Sequence, residues 1–225
     1  MINKNIFVAC DVSSQQEILE LLDLIHEDIS GIKIGLQYIT ERSPEEIREL
    51  SKYKKPIFYD GKFFDIKNTL VESIKSLKNL NISYATVHLL NGLDALKAAN
   101  QAAQKINLNL LGVSVLTSFA DKDLESLGFS SKVEDQVKRL IKIAMESNLF
   151  GVICSPLEIK MIKKIAPKLK CFTPGIRMEG AKDDQKRTMN ANDAIKEGSD
   201  CLIIGRPIIK GDPKENIKHI LSSIK

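Results

Sequence analysis

One alternation constrains this chain more than any other feature: a short apolar run followed by a stretch with helical spacing, repeated eight times in 225 residues. The β-branched-rich runs stand at 6–10, 31–36, 56–60, 84–90, 109–116, 151–155, 170–173 and 201–204. Between them lie helical patterns such as Ile18, Leu21, Leu22 and Ile25, or Leu70, Ile74 and Leu77, and a last one closes the chain over about 213–224. Near-continuous apolar strands suit a parallel sheet covered on its outer side by helices. Eight such βα units at this length predict an α/β fold, a single-domain (β/α)8 TIM barrel over residues 1–225, in preference to an open doubly wound sheet. No Gly/Ser/Pro-rich linker interrupts it, and the fifth helix reads as doubled, with DKDLESLG ahead of a longer helix over about 133–147.

Composition narrows the function classes. The 33 Lys+Arg against 29 Asp+Glu give a net charge of +4, with the lysines spread along the chain, so the charge reads as solvated helix faces and not as a nucleic-acid footprint. The absence of Trp and the 5% aromatic content also speak against a base-stacking platform. No apolar run reaches the roughly 18 residues of a membrane span, and the first residues, MINKNIFVAC, enter a strand-like run without a signal-peptide core. A cytoplasmic protein without membrane partners is expected. Cys10, Cys154, Cys171 and Cys201 show no CxxC spacing and lie in or beside apolar runs, which predicts buried thiols in place of disulfides or a zinc site.

In a βα barrel the active site gathers where the strands end, because the βα loops converge there. The polar residues at those ends are Asp11, Lys33, Asp60, Lys62, His88, Thr117, Ser118, Ser155, Arg177 and Arg206. Within YDGKFFDIKNT, residues 59–69, Asp60 and Lys62 are two apart, so an extended chain projects both toward the barrel mouth. Asp65 lies beyond them, where its carboxylate would reach a neighbouring subunit or cap the following helix. A plain surface charge cluster accounts equally well for this spacing taken alone. In FTPGIRMEGAKDDQKR, residues 172–187, Pro174 and Gly175 leave a strand ahead of a long polar stretch, which suits a lid or an unused surface loop. In IIGRP, residues 203–207, Gly205 permits close backbone approach to an anion and Arg206 offers a bidentate phosphate clamp. Neither GxxxxGK[ST] nor GxGxxG occurs, so P-loop and dinucleotide readings fall away. His88 reads as a hydrogen-bonded interior residue, and His26 and His219 as surface or packing residues on helices.

Taken together the segments resemble orotidine 5′-phosphate decarboxylase, with matches from VACDV at 8–12 and IKIGL at 32–36 through DGKFFDIKNT at 60–69, VLTS at 115–118, GVICSPLEI at 151–159, TPGIR at 173–177 and DDQKR at 183–187 to IIGRPI at 203–208. The resemblance implies an enzyme that converts orotidine 5′-phosphate to uridine 5′-monophosphate without metal or organic cofactor, in the last step of de novo synthesis of that nucleotide. It also implies a homodimer with shared active sites. Asp11 and Lys33 fall at ribose contacts, and Lys33, Asp60, Lys62 and the partner's Asp65 form an alternating charge array. Ile66 and Thr69 match positions that enter the partner's site, Ser118 the pyrimidine contact, and Gln185, Gly205 and Arg206 the phosphate site. Pro174 and Arg177 belong to the loop that closes over substrate. Lys67 stands where the family usually has Pro, and Gly61 and Phe64 replace the commoner Leu and His; none is a charge-array position, but the rigidity of the loop after the third strand is put in question.

The chemistry fits those residue types. Loss of the C6 carboxylate leaves an electron pair in the ring plane that the π system cannot delocalise, so a fixed ammonium, Lys62, would stabilise it and then deliver the proton. Asp60 would hold that ammonium and press against the substrate carboxylate. Two alternatives share the barrel. The DxKxxD pattern is also similar to that of the metal-dependent 3-keto-gulonate 6-phosphate decarboxylases, a resemblance that implies an acidic residue at the strand-2 position helping to hold magnesium, where Lys33 would repel the ion. A non-catalytic pyrimidine-nucleotide-binding barrel would not need the full set of charges.

Overall fold

A computed structural model describes residues 5–130, 132–177 and 187–224. Eight parallel strands close in sequence order: β1 (Ile6–Ala9), β2 (Gly31–Ile34), β3 (Ile57–Phe63), β4 (Ile82–His88), β5 (Asn109–Val113), β6 (Gly151–Ile153), β7 (Lys170–Thr173) and β8 (Cys201–Ile204). The barrel is sealed by Phe7 opposite Ile203 on one side of β1 and Gly31 on the other. The outer layer comprises α1 (Gln15–Ile25), α2 (Leu36–Glu41), α3 (Pro44–Glu49), α4 (Lys67–Ser76), α5 (Leu93–Gln104), α6 (Asp121–Ser126), α7 (Val133–Glu146), α8 (Ile159–Ile165), α9 (Ala191–Lys196), α10 (Arg206–Ile209) and α11 (Pro213–Ser223). The doubled fifth helix is present as α6 and α7. No helix among the described residues is long and apolar enough to cross a membrane.

Local chemistry explains the helix ends. Ser14 caps α1 by accepting from the Glu17 amide at 3.1 Å, a contact of about 1 kcal/mol. Ser43 and Glu46 form a reciprocal capping box at α3, and Asp212 accepts from the Lys214 and Glu215 amides ahead of Pro213 in α11. The apolar stripe of α1, Ile18, Leu21, Leu22 and Ile25, is buried against the sheet, as its spacing predicts. His26 lies one residue beyond α1 in a 3₁₀ turn, where its ring packs on Tyr53 at 5.4 Å; His219 is exposed on α11.

Most strands alternate between two cores. Ile6, Val8 and Cys10 face the helices together with Ile32, Ile34, Cys154 and Cys171, whereas Phe7, Ala9, Phe58, Leu111, Phe172, Cys201 and Ile203 form a separate cluster inside the barrel. All four thiols are buried and free, and burial pushes that of Cys10 above the ordinary thiol range. Near the N-terminal ends of the strands Phe7, Phe58, Tyr84, Phe150 and Phe172 meet with ring centroids 5.2–6.5 Å apart, several of them edge to face. Gly31 makes room for this plug, since a Cβ there would lie 2.2 Å from the Phe7 ring.

Strands β3 and β4 depart from their expected bounds. The apolar runs suggest ends near 60 and 90, yet β3 continues to Phe63 and β4 spans Ile82–His88. The register explains the longer β3: Tyr59 is opposite Ala85 and Phe63 opposite Val87, so Asp60, Gly61 and Lys62 all face the single residue Thr86. A bulge of this kind re-aims side chains at a barrel rim. Lys62 takes a left-handed φ of 46°. The other non-glycine residues with positive φ, Lys54, Asn81, Asn107 and Asn148, lie outside the strands, so Lys62 is the strained strand residue among those described.

Candidate active site

The bulge brings three charges together at the C-terminal mouth. Asp60 Oδ2 lies 2.8 Å from the Lys62 ammonium and 3.2 Å from that of Lys33, which extends from β2 and reaches Asp11 at 3.5 Å. The second carboxylate oxygen, Oδ1, accepts from the Thr86 hydroxyl at 2.9 Å. The Asp60 side chain is 10% exposed and that of Lys62 34%, so the carboxylate is the closed end of the constellation and the Lys62 ammonium its open end.

The charges sustain one another. Burial by itself would push Asp60 up, but Lys33, Lys62 and the Thr86 hydroxyl more than offset it and hold the carboxyl below its ordinary value. Burial would likewise push Lys33 down, and Asp60 and Asp11 reverse the sign, so its ammonium is held above the usual lysine range. His88, next inward-facing residue after Thr86 on β4, is held below the usual histidine value by burial and then by Lys62; its Nδ1 accepts from the Leu90 amide at 3.3 Å. At neutral pH the mouth therefore presents the buried Asp60 carboxylate, the Lys33 ammonium and an uncharged imidazole.

A cavity of about 210 Å³ opens over this group, lined by Lys33, Asp60 and Lys62 on one side and Val113, Val115, Leu116, Thr117, Ile153, Pro174 and Ile203 on the other. One wall is ionic and the other largely apolar, the combination expected of a site for a flat, charged small molecule. Pro174 thus joins the charged residues. Gly205 borders the same end of the barrel, where a Cβ would meet Ala9 at 3.3 Å and Asp11 at 3.7 Å; Arg206 is exposed at the first position of α10. Ser118 is exposed just past the lining residue Thr117. Arg177 is not brought here: it lines a separate cavity of about 680 Å³ with Asn190, Pro207 and His219. Gln185 and most of the expected lid lie outside the described residues.

Asp65 forms no ion pair with a described residue of its own chain. Its amide donates to Asn91 Oδ1 at 3.1 Å, and its carboxylate accepts from the Ile66 amide at 2.7 Å. It does not cap α4, which starts at Lys67 with Ile66 as its uncapped N-terminal neighbour. Phe64, Ile66 and Thr69 are exposed around it, Phe64 by 63% and Ile66 by 73%. Lys67 occupies the first helical position, where the proline usual in the family would be equally well accommodated.

Three groups around the mouth escaped the sequence-level assignment of roles. Thr86 is one. Asn91 is another, its Nδ2 donating to Phe63 O and His88 O at 2.9 and 2.8 Å and so tying the ends of β3 and β4 together. The third is Arg187, which pairs with buried Glu158 and donates to the carbonyls of Leu116 at 2.9 Å and Thr117 at 3.4 Å. It thereby fastens the loop after β5 to the turn after β6. Burial keeps the Glu158 carboxyl above its ordinary value even beside that guanidinium. Inward alternation on β4 marks Thr86; nothing local in the sequence marks the partners of Arg187.

Comparison with known proteins gives a consistent result. The profile of the Orotidine 5′-phosphate decarboxylase / HUMPS family matches residues 4–220. The orotidine 5′-phosphate decarboxylase of Wolbachia pipientis subsp. Culex pipiens is 36% identical over 221 residues, covering 97% of this chain and 98% of that protein. That of Ehrlichia canis is 37% identical over 221 residues, covering 97% of each. The crystal structure of orotidine 5′-phosphate decarboxylase from Lactobacillus acidophilus superposes with a TM-score of 0.86 at 29% identity, covering 99% of this chain and all of that one.

Proposed function

The chain belongs to the Orotidine 5′-phosphate decarboxylase / HUMPS family, and from that membership and the geometry of its barrel mouth we infer that it is a carboxy-lyase converting orotidine 5′-phosphate to uridine 5′-monophosphate in the cytoplasm. The observation that carries this reading is a buried carboxylate, Asp60, held between the Lys33 and Lys62 ammonium groups at 3.2 and 2.8 Å. Substrate would enter with its C6 carboxylate toward Asp60 and its ring along the apolar wall. Departure of carbon dioxide leaves an in-plane electron pair at C6, and the Lys62 ammonium, already localised by Asp60, stabilises that charge without reorganising and then donates its proton to the carbon. Lys33 and Asp11 would hold the ribose, Ser118 the pyrimidine, and Gln185 with the backbone at Gly205 and the Arg206 guanidinium the phosphate, whose binding energy is available to close the loop carrying Pro174 and Arg177.

The reading includes a homodimer. Asp65 pairs with no cation among the described residues of its own chain, and it stands on an exposed apolar ridge with Phe64 and Ile66; a second copy docked there would receive Asp65, Ile66 and Thr69 at its own mouth.

The direct test follows the fall in orotidine 5′-phosphate absorbance on adding protein exhaustively treated with a chelator. Undiminished turnover is expected; turnover restored only by a divalent ion would favour the metal-dependent branch, and tight binding without turnover a nucleotide-binding barrel. The dimer is tested by mixing differently tagged Lys62→Ala and Asp65→Ala chains. Each homodimer should be nearly inactive, while a purified heterodimer carries one intact site and should recover up to about half of wild-type activity. Heterodimers no more active than their parents would place Asp65 outside its neighbour's site.

A further inference from the structure

The reacting lysine does not have ordinary strand geometry, and what keeps it in place is legible in the pairing of β3 with β4. Asp60, Gly61 and Lys62 are opposite Thr86 alone. The Thr86 hydroxyl spans that bulge from end to end: it donates to Asp60 Oδ1 at 2.9 Å and accepts from the Lys62 amide at 2.8 Å. One oxygen thus fixes the carboxylate that holds the ammonium and also the backbone from which the ammonium springs, and that backbone is in the left-handed region at φ 46°. The side chain is fully buried, so water does not stand in for it. With the hydroxyl proton spent on Asp60 Oδ1, the lone pairs of the same oxygen serve the Lys62 amide.

We propose that Thr86 is a positioning residue of the decarboxylation, setting the place of the Lys62 ammonium and the Asp60 carboxylate through a single hydroxyl group. The proposal rests on the decarboxylase reading for its kinetic consequence, while the structural claim stands on this chain's own geometry. A general acid displaced by about 1 Å can lose about 10²-fold in rate, which sets the scale of the expected effect. Groups facing the pair from neighbouring elements are Lys33 on β2, Asp11 beyond β1 and His88 on β4; none of them bonds the Lys62 amide.

The test compares Thr86→Val, Thr86→Cys and Thr86→Ser. Serine keeps the hydroxyl and should retain kcat within about threefold, whereas valine and cysteine should lose about 10²-fold in kcat with KM within about threefold, because substrate contacts come from other residues. The acid limb of the pH profile should also move upward in the cysteine variant, since Asp60 loses a hydrogen bond that favours its charged form. Should the valine variant not fold, the cysteine and serine pair decides. Equal loss in the serine and cysteine variants, or a cysteine variant with kcat within threefold of wild type, would overturn the proposal. If wild-type protein does not turn over orotidine 5′-phosphate, the decarboxylase reading fails by itself. A crystal structure of the Thr86→Val or Thr86→Cys variant then decides the structural claim: Lys62 should leave its left-handed conformation or its contact with Asp60, and persistence of both would overturn it.

Discussion

The two ends of the barrel interior are built from the same strands and obey different rules. On β3, Phe58 points into the aromatic plug, while Asp60 and Lys62, two and four residues on, point into the mouth; on β4, Tyr84 joins the plug and Thr86 and His88 the mouth. The lower half is held by edge-to-face rings and a glycine shaped to receive one of them, and it contains no strained strand residue among those described. The upper half contains a left-handed lysine, a bulge and buried charges, features that cost stability unless their partners are in place. The difference separates the half that holds the fold from the half that the fold holds in readiness.

The sharpest way to break that division is Lys62→Ala. Removing the proton donor should cost about 10⁴-fold in turnover, the upper range for a positioned acid, while calorimetry should still detect uridine 5′-monophosphate binding. Thermal stability should change little, because Lys33 still pairs with the buried Asp60 carboxylate while alanine keeps the Cβ that strains the φ of 46°. Turnover within about tenfold of wild type would remove Lys62 from the chemistry.

The opposite pattern is expected from Phe172→Ala in the plug. Its ring meets Phe7, Phe58, Tyr84 and Phe150, so truncation should destabilise by about 3–5 kcal/mol in denaturant unfolding. Below the transition, kcat should stay within about threefold. A large fall in kcat in protein that remains folded would mean that the plug also sets the mouth's geometry, and the division would fail.

Arg206→Ala tests the rim. Loss of a charge-assisted contact of about 1.5–3 kcal/mol predicts a fall of about 10- to 160-fold in kcat/KM for the phosphorylated substrate. Wild-type kinetics would move the phosphate site elsewhere on the barrel.

Much of this was legible in the sequence because it depends on local periodicity. The alternation marked all eight strands, and position at a strand end with two-residue spacing marked Asp60 and Lys62. The bulge was hidden because a strand's length is decided by its neighbour: only pairing with β4 carries β3 on to Phe63. Inward alternation points Thr86 into the mouth, but its role shows only with Asp60 across from it. Arg187 is 29 residues from Glu158 and more than twice that from the Leu116 and Thr117 carbonyls, a separation over which no sequence pattern acts. Arg177 shows the converse, a strand-end cation that the chain turns toward another cavity.

The smallest effect concerns charge at the wrong end of the barrel. Asp200 accepts from the Lys163 and Lys170 ammonium groups and from the Cys171 amide at 2.5, 3.0 and 2.9 Å, beside the aromatic plug. Burial pushes its carboxyl up, and these three donors more than reverse that, leaving it below its ordinary value. A carboxyl depressed in the folded state contributes stability that is present above its unfolded value, about 3.9 for Asp, and is lost as the pH falls through its lower folded value. Asp200→Asn should therefore cost about 1–2 kcal/mol at neutral pH, discounted because the group is partly in water, and the difference from wild type should shrink as the pH is lowered below about 4. Turnover at neutral pH should be unaltered. Paired unfolding curves at neutral and acid pH check the sign, and a gap that widens toward acid would show that Asp200 is stabilised in its protonated form. A fall in kcat would show that a charge cluster at the closed end also supports catalysis, against the separation of roles that Lys62 and Phe172 are chosen to expose.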